Sequence, residues 1–272
     1  HARYNLNEQM VMRVSAGRGY RRPNAVAENI SYFASSRQPV FGVVEPEVSW
    51  NAGGSLTWDF RLGKREGVVR LDYYHTWFEN QLVVNLENPD FVEFDMLDGR
   101  SFSHAAQIDA SYEVLRGLDL NVAYKYVYNQ STFDGLETDL PFVPRDRALV
   151  NVAYETMNRI WKFDATVNFF GYARLPDTRQ NAQEFRLKGH SDPYYLLNAQ
   201  ITKQFRHWEV YLGAENLLGY LQPNAILDPE NPFGNEFDAS MIWGPLNGRI
   251  IYIGFRTRIK TKQSAEQGHR AH

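Results

Sequence analysis

Ile251-Tyr252-Ile253-Gly254-Phe255-Arg256-Thr257-Arg258-Ile259-Lys260 lies near the end of the chain and puts Ile251, Ile253, Phe255, Thr257 and Ile259 on one parity. Tyr252, Gly254, Arg256, Arg258 and Lys260 fall on the other. Side chains of an extended strand alternate between two faces, so one face suits lipid and the other a watery interior. Nine more stretches carry this period. Residues 9–17 set Met10, Met12, Val14 and Ala16 against Arg13 and Ser15, and residues 48–59 alternate almost without a break. Residues 68–78 place Val69, Leu71, Tyr73 and Trp77 opposite Arg70, Asp72 and Thr76. The others are 103–114, 118–129, 147–155, 161–172, 194–205 and 208–216, with 249–260 as the last.

The connections obey a two-sided rule. Short turns fall near Gly63, Gly117, Asn158 and Arg206, where Gly and charged residues suit tight hairpins. Long connections occupy 18–47, 79–100, 130–146, 173–193 and 217–248. Long loops in bacterial barrels face outward and short turns face the periplasm, so both chain ends are expected on the periplasmic side. Loops beyond about 12–15 residues normally carry function, which places ligand contact on the outer side.

Composition narrows the choice. The chain has 272 residues, a net charge of -3 with mixed signs, and no cysteine. This charge balance offers nucleic acid no footprint, and the absent thiols exclude disulfides, thiolate metal sites and thiol nucleophiles. No run of about 18 apolar residues could form a transmembrane helix, but a barrel strand needs only about 10 alternating positions. A mean hydropathy of -0.48 is therefore compatible with a membrane. A soluble antiparallel sandwich also alternates, with its apolar face turned to a core. Strand length, the loop rule, and Trp50, Trp58, Trp77, Tyr128, Trp161, Tyr172 and Trp208 near strand ends favour the membrane.

Two segments carry a family resemblance. Arg13-Val14-Ser15-Ala16-Gly17-Arg18-Gly19-Tyr20-Arg21-Arg22-Pro23, followed by Ala27-Glu28-Asn29 and Ala34-Ser35-Ser36-Arg37, resembles the strand-and-loop signature of TonB-dependent outer-membrane receptors of the Bacteroidetes type. Tyr211-Leu212-Gly213-Ala214-Glu215-Asn216-Leu217-Leu218 resembles their penultimate-strand motif. The resemblance implies an all-β, transmembrane antiparallel β-barrel in which these ten strands, residues 1–260, form the C-terminal part of a plugged barrel of about 22 strands. It further implies uptake of a scarce nutrient such as an iron-siderophore complex, haem or cobalamin. Expected partners are an N-terminal plug with the remaining strands, TonB acting through the plug, outer-membrane lipid, a small-molecule ligand and a surface lipoprotein. Such chains usually end at an aromatic residue in the last strand, whereas here a polar tail, 261–272, follows and is expected in the periplasm. Tyr252, Gly254, Phe255 and Ile259 are the expected assembly signal. The alternative is an autonomous ten-stranded barrel, either a protease-like enzyme or a small porin.

Candidate chemistry is sparse. The charges Arg13, Arg70, Asp72, Asp109, Glu113, Lys125, Arg147, Glu155, Lys162, Asp164, Glu215, Arg256 and Arg258 take the polar parity, where their mixed signs suggest pairing and where they can also remain hydrated or pair with a plug. No Ser or Asp sits in a motif that would activate a nucleophile, and His75, His104, His190 and His207 are scattered, so no catalytic residue is assigned. His75 and His104 are expected at the membrane interface. No cofactor or metal is expected, although His190 with Asp192 could donate to a metal, and the acidic turn-rich segment 228–235 matches no EF-hand spacing. The best ligand-binding candidates lie in the first long connection. Arg18, Tyr20, Arg21 and Arg22 precede Tyr32 and Phe33, a mix of guanidinium and aromatic groups suited to an anionic or planar ligand. Val26, Ile30 and Phe33 also have helical spacing and could simply pack a short loop helix. His190 and Trp243, in later long connections, complete the set.

Overall fold

A computed structural model describes residues 1–257 apart from Asp98 and Asp134. Its strands, in chain order, are β1 (Ala2–Asn5), β2 (Met10–Arg21), β3 (Gln38–Phe41), β4 (Glu47–Leu62), β5 (Arg65–Asn80), β6 (Leu82–Asn85), β7 (Phe91–Met96) and β8 (Ser101–Leu115). They continue with β9 (Leu118–Phe133), β10 (Leu136–Thr138), β11 (Asp146–Glu155), β12 (Trp161–Phe170), β13 (Tyr194–Gln204), β14 (Trp208–Glu215) and β15 (Ile250–Thr257). One antiparallel wall runs β1-β2-β4-β5-β8-β9-β11-β12-β13-β14-β15, and β10 extends β9.

All ten expected strands are present, but the count is corrected. Residues 2–5 form an additional strand, with Ala2 opposite Val14 and Asn5 opposite Val11. A hairpin closes it, Leu6 N–H donating to Met10 C=O at 2.9 Å. This turn lies on the short-turn side, so His1 sits partway up the wall rather than at that end. The expectation that both chain ends lie there is therefore corrected for the N-terminus. Ile259, Arg258 and the 261–272 tail lie outside the described residues.

Register gives the wall two chemistries. Leu56, Leu71, Ile108, Tyr124, Ala148, Phe169 and Tyr195 are successive partners in one cross-strand row. The adjacent row reads Ser55, Asp72, Gln107, Lys125, Arg147, Phe170 and Tyr194. A one-residue step thus exchanges the apolar face for the polar one. Hydrogen bonds knit the polar face across strands: Ser111 Oγ donates to Asn121 Oδ1 at 2.6 Å, Asn121 Nδ2 to Asn151 Oδ1 at 3.1 Å, and Asn151 Nδ2 to Thr166 Oγ1 at 2.9 Å.

Among the described residues no second layer covers the apolar face. Ile251 and Ile253 are 71% and 76% exposed, and Leu71, Ile108, Val150 and Leu212 are exposed with them. The fully enclosed hydrophobic cluster, Leu86, Val92 and Phe94, lies instead in the long connections. A soluble sandwich would bury the sheet's apolar face. This wall leaves it for lipid.

Aromatic bands mark both edges of that face. Toward the long connections Trp50 stacks on Trp77 at 6.1 Å, and His75 on His104 at 4.3 Å. Both histidines take the apolar parity at this edge, as expected. Toward the short turns Phe205 stacks on Trp208 at 3.8 Å, and Lys203 Nζ lies 5.0 Å from the Trp161 ring, a snorkelling cation at an interface.

The sheet is not closed. Its path ends at β1 and β15, which do not pair with one another, so among the described residues there is no autonomous ten-stranded barrel. One hairpin shows how tightly the short-turn side is built. Gly117 has φ +79, its carbonyl accepts Glu155 N–H at 2.7 Å, and an added Cβ would collide with the Glu155 carbonyl oxygen. Gly117→Ala is expected to destabilise the wall by about 1–3 kcal/mol, seen as a lower urea midpoint for the bilayer-inserted protein.

Candidate functional site

The five long connections, which we call loops 1 to 5 in chain order, form an interlocked crown above the wall. Strands β4, β5, β8 and β9 rise beyond the level where β11 begins and carry loops 1–3 on tall stems, with Asp146 opposite Tyr126 near the top of β11. Loops 1 and 2 together make a second sheet, β3-β7-β6, in which β3 pairs parallel to β7. Its core of Leu86, Val92 and Phe94 takes Tyr32 and Phe33 from loop 1 and Phe142 from loop 3.

Ion pairs join the loops. Arg37 Nη1 in loop 1 meets Asp238 Oδ2 in loop 5 at 2.7 Å, the two side chains only 3% and 6% exposed. Arg37 Nε also donates to Asn88 C=O in loop 2 at 3.1 Å, and Asp238 Oδ1 accepts from Ser240 N and Oγ at 2.8 and 2.6 Å. Removing one partner of such a buried pair typically costs about 3–5 kcal/mol, because a charge stays buried without compensation. Arg174 of loop 4 donates from Nη1 to Glu87 Oε1 in loop 2 at 2.6 Å and from Nε to Asp139 C=O in loop 3 at 2.6 Å. Glu87 Oε2 also accepts Asp177 N–H at 2.8 Å. This half-exposed tie is weaker. Glu87→Gln is expected to loosen loop 4 by about 1 kcal/mol, measurable as faster hydrogen exchange at the Asp177 amide with the wall unchanged. Nearby, hydrogen bonds from the Arg179 guanidinium hold the Asp177 carboxyl below its usual range.

Under the crown the polar face carries a ladder of rings. Phe170 stacks on Tyr194 at 4.8 Å, and Tyr194 on Tyr220 at 4.7 Å with planes 3° apart. Trp243 flanks Tyr194 at 5.8 Å, and the Arg147 guanidinium lies 5.6 Å from the Phe170 ring on the same row. Two amides hold this geometry. Asn216, with φ +48, donates from Nδ2 to Tyr220 C=O at 2.7 Å and Asn247 C=O at 3.1 Å, and its Oδ1 accepts Tyr220 N–H at 3.0 Å. Gln222 donates from Nε2 to Met241 C=O at 2.7 Å and accepts Trp243 N–H and Gly244 N–H at 2.7 and 2.8 Å. The two legs of loop 5 are thereby clamped together.

The residues singled out from sequence are scattered over this crown. Arg18 pairs with Glu79 at 2.5 Å and lies 5.9 Å from the Trp50 ring, on the apolar parity. Arg21 is bound by Glu47 at 2.5 Å and Glu28 at 3.0 Å. Tyr20, 84% exposed, and Arg22 lie exposed at the rim. Tyr32 and Phe33 lie in a short 3-10 turn, Ile30–Phe33, after the helix Ala25–Glu28, and pack on the crown's core; burial pushes the Tyr32 hydroxyl above its usual pKa. Phe33 stacks on Phe94 at 5.8 Å, whereas Val26 and Ile30 remain exposed. His190 sits edge-on to Tyr172 at 5.2 Å, while its neighbour Asp192 is taken by Lys188 at 2.8 Å. Only Trp243 reaches the ring ladder.

Pairing within the wall is the exception among the polar-face charges. Glu113 meets Arg65 at 3.6 Å, Glu155 meets Arg159 at 3.8 Å, and Arg256 meets Glu209 at 2.6 Å. Among the described residues Arg13, Arg70, Asp72, Asp109, Lys125, Arg147, Lys162, Asp164 and Glu215 form no ion pair within 4 Å. Opposite charges do share rows, Arg70 opposite Asp109 and Glu155 opposite Lys162, but their side chains do not close to ion-pair distance. In the last strand Tyr252 points to the polar side and donates to Gln200 Oε1 at 3.2 Å, Gly254 leaves room for the Tyr211 ring, and Phe255 faces outward beside Trp208 at 5.6 Å. Sequence reasoning quotes Arg37 only as part of the family resemblance, without a role, and misses Asp238, Glu87, Arg174 and Gln222; the partners of all five lie on other loops or on the far leg of their own.

Residues 1–217 match the family described as TonB dependent receptor-like, beta-barrel. No curated protein sequence matches the chain. Among solved structures, the copper transporter OprC aligns over 93% of this chain with a TM-score of 0.66 at 15% identity. The ferric-catecholate import receptor Fiu from K12 E. coli aligns over 93% with a TM-score of 0.61 at 13% identity, and the FrpB iron transporter from Neisseria meningitidis does the same. At these identities the structural likeness establishes a shared fold alone. The chain spans 38%, 34% and 37% of those three proteins, respectively.

Proposed function

Because this chain belongs to the TonB-dependent receptor-like β-barrel family, and is thus part of an outer-membrane β-barrel, we propose that it forms a wall sector and outer crown of a receptor that imports a scarce nutrient. The observation that carries this reading is the two-faced wall: an uncovered apolar face between aromatic bands, and a polar face roofed by interlocked loops. A roofed aqueous face is what a plugged import barrel needs and what a structural anchor does not. The unpaired charges Asp72, Lys125 and Arg147 lie along one row of that face and supply contacts for a plug segment carried elsewhere in the receptor, through which TonB would act.

An iron-siderophore complex, haem or cobalamin fits the ring ladder, since planar or aromatic groups stack on Tyr220 and Trp243 and an anionic group is attracted by Arg147. Exposed Tyr20 and Arg22 provide first contact at the rim, with Arg18, Arg21 and His190 framing it. A surface lipoprotein is a further partner for the crown's outer side. The test is growth of a receptor-deleted strain, complemented with the intact receptor or a Trp243→Ala variant, on ferric siderophore, haem or cobalamin as the limiting nutrient. Rescue on one nutrient, weakened by Trp243→Ala, supports the reading. Equal growth of the deleted and complemented strains on every nutrient overturns it.

A further inference from the structure

Loop 5 leaves the wall between β14 and β15, yet its tip is fastened to loop 1, which joins β2 and β4 near the opposite end of the strand order. Its residues cross the intervening mouth. Ser36 N–H donates to Phe237 C=O at 2.9 Å, Ala239 N–H to Ala34 C=O at 2.8 Å, and Ser36 Oγ to Asn235 C=O at 2.6 Å. At their centre lies the buried Arg37–Asp238 pair. Asn216, Gln222 and Arg249, whose Nε donates to Leu217 C=O at 2.7 Å, clamp the base. The loop is a strap fixed at one end and fastened at the other.

We propose that loop 5 bars outside access to the polar face of this sector and that Arg37–Asp238 is its latch. The polar character of the fastening supports a joint that opens. Arg37, Asp238 and Ser36 are groups that water can solvate on release, whereas an apolar joint would resist exposure. Buried ion pairs are in general poor stabilisers compared with apolar groups of similar volume, and a switch is among their better attested uses. The inference rests on the import-barrel reading for its purpose but not for its test.

This chain lacks cysteine, so Ser103→Cys on the polar face is the one reporter thiol in this sector, introduced into the intact receptor with any cysteine outside these residues replaced by serine. Whole cells are labelled from outside with a bulky, membrane-impermeant maleimide. Arg37→Met or Asp238→Asn should raise the labelling rate by at least about tenfold, because each leaves a buried group uncompensated and favours the open strap. Arg37→Met combined with Asp238→Leu replaces the charges with an apolar pair and should restore the parent rate. Single variants that label at the parent rate overturn the latch, and so does a double variant as fast as the singles, which would trace access to lost folding. Labelling reads no transport, so a failed nutrient test leaves this result standing. An unchanged labelling rate in a receptor that still imports removes the latch alone.

Discussion

Val150→Arg should largely abolish the folded, membrane-inserted form of the protein, while Leu149→Arg, one position away, should leave it nearly intact. Val150 lies on the apolar face in a row with Val122, Val167 and Leu197. A charge on the lipid side costs about 2–4 kcal/mol near the bilayer midplane, a large share of a marginal stability. Leu149 sits opposite Ala123 and Asn168 on the polar face, where a guanidinium remains hydrated. Heat-modifiable mobility of outer-membrane fractions gives the comparison directly. Equal loss in both variants would mean that the two faces do not differ as described.

The second large effect lies at the base of loop 5. Asn216→Ala strips partners from Tyr220 N–H, Tyr220 C=O and Asn247 C=O at once, in a residue that is 7% exposed. Each buried backbone group left unpaired costs about 1–3 kcal/mol, so the legs of the loop should separate and the Tyr220 ring should leave Tyr194. Asn216→Gly separates the two causes. It tolerates φ +48 but makes none of the side-chain bonds, so it should be nearly as damaging as alanine, the left-handed backbone adding only about 1 kcal/mol to the alanine variant. Hydrogen exchange at the Tyr220 amide is the readout. A glycine variant with parent-like protection would assign the effect to backbone conformation.

The wall was legible because its signal is local. A period of two over eight to sixteen residues, as in β15 and β4, names both strand and face without knowledge of the partner. Residues 2–5 escaped because four residues, Ala-Arg-Tyr-Asn, are too few to establish a period. The crown's sheet escaped for another reason. β3 pairs with β7 across some fifty positions and in parallel, a pairing that turn chemistry does not announce. Helical spacing around Phe33 did point to a packed loop helix, though Val26 and Ile30 stayed outside. The latch was invisible in principle. Arg37 and Asp238 are separated by most of the chain, and neither sits in a pattern that marks it for burial. The Asn216 motif carries a family resemblance, and its work becomes clear only in the bonds that clamp loop 5.

The most direct test of the two-faced wall is a cysteine scan along β11 with spin labels in outer-membrane vesicles, each label's relaxation measured against oxygen and a water-soluble nickel chelate. Positions 148, 150 and 152 should favour oxygen and positions 147, 149 and 151 the chelate, alternating without a break. Uniform chelate access, or an oxygen profile with no period of two, would contradict a lipid-facing barrel wall.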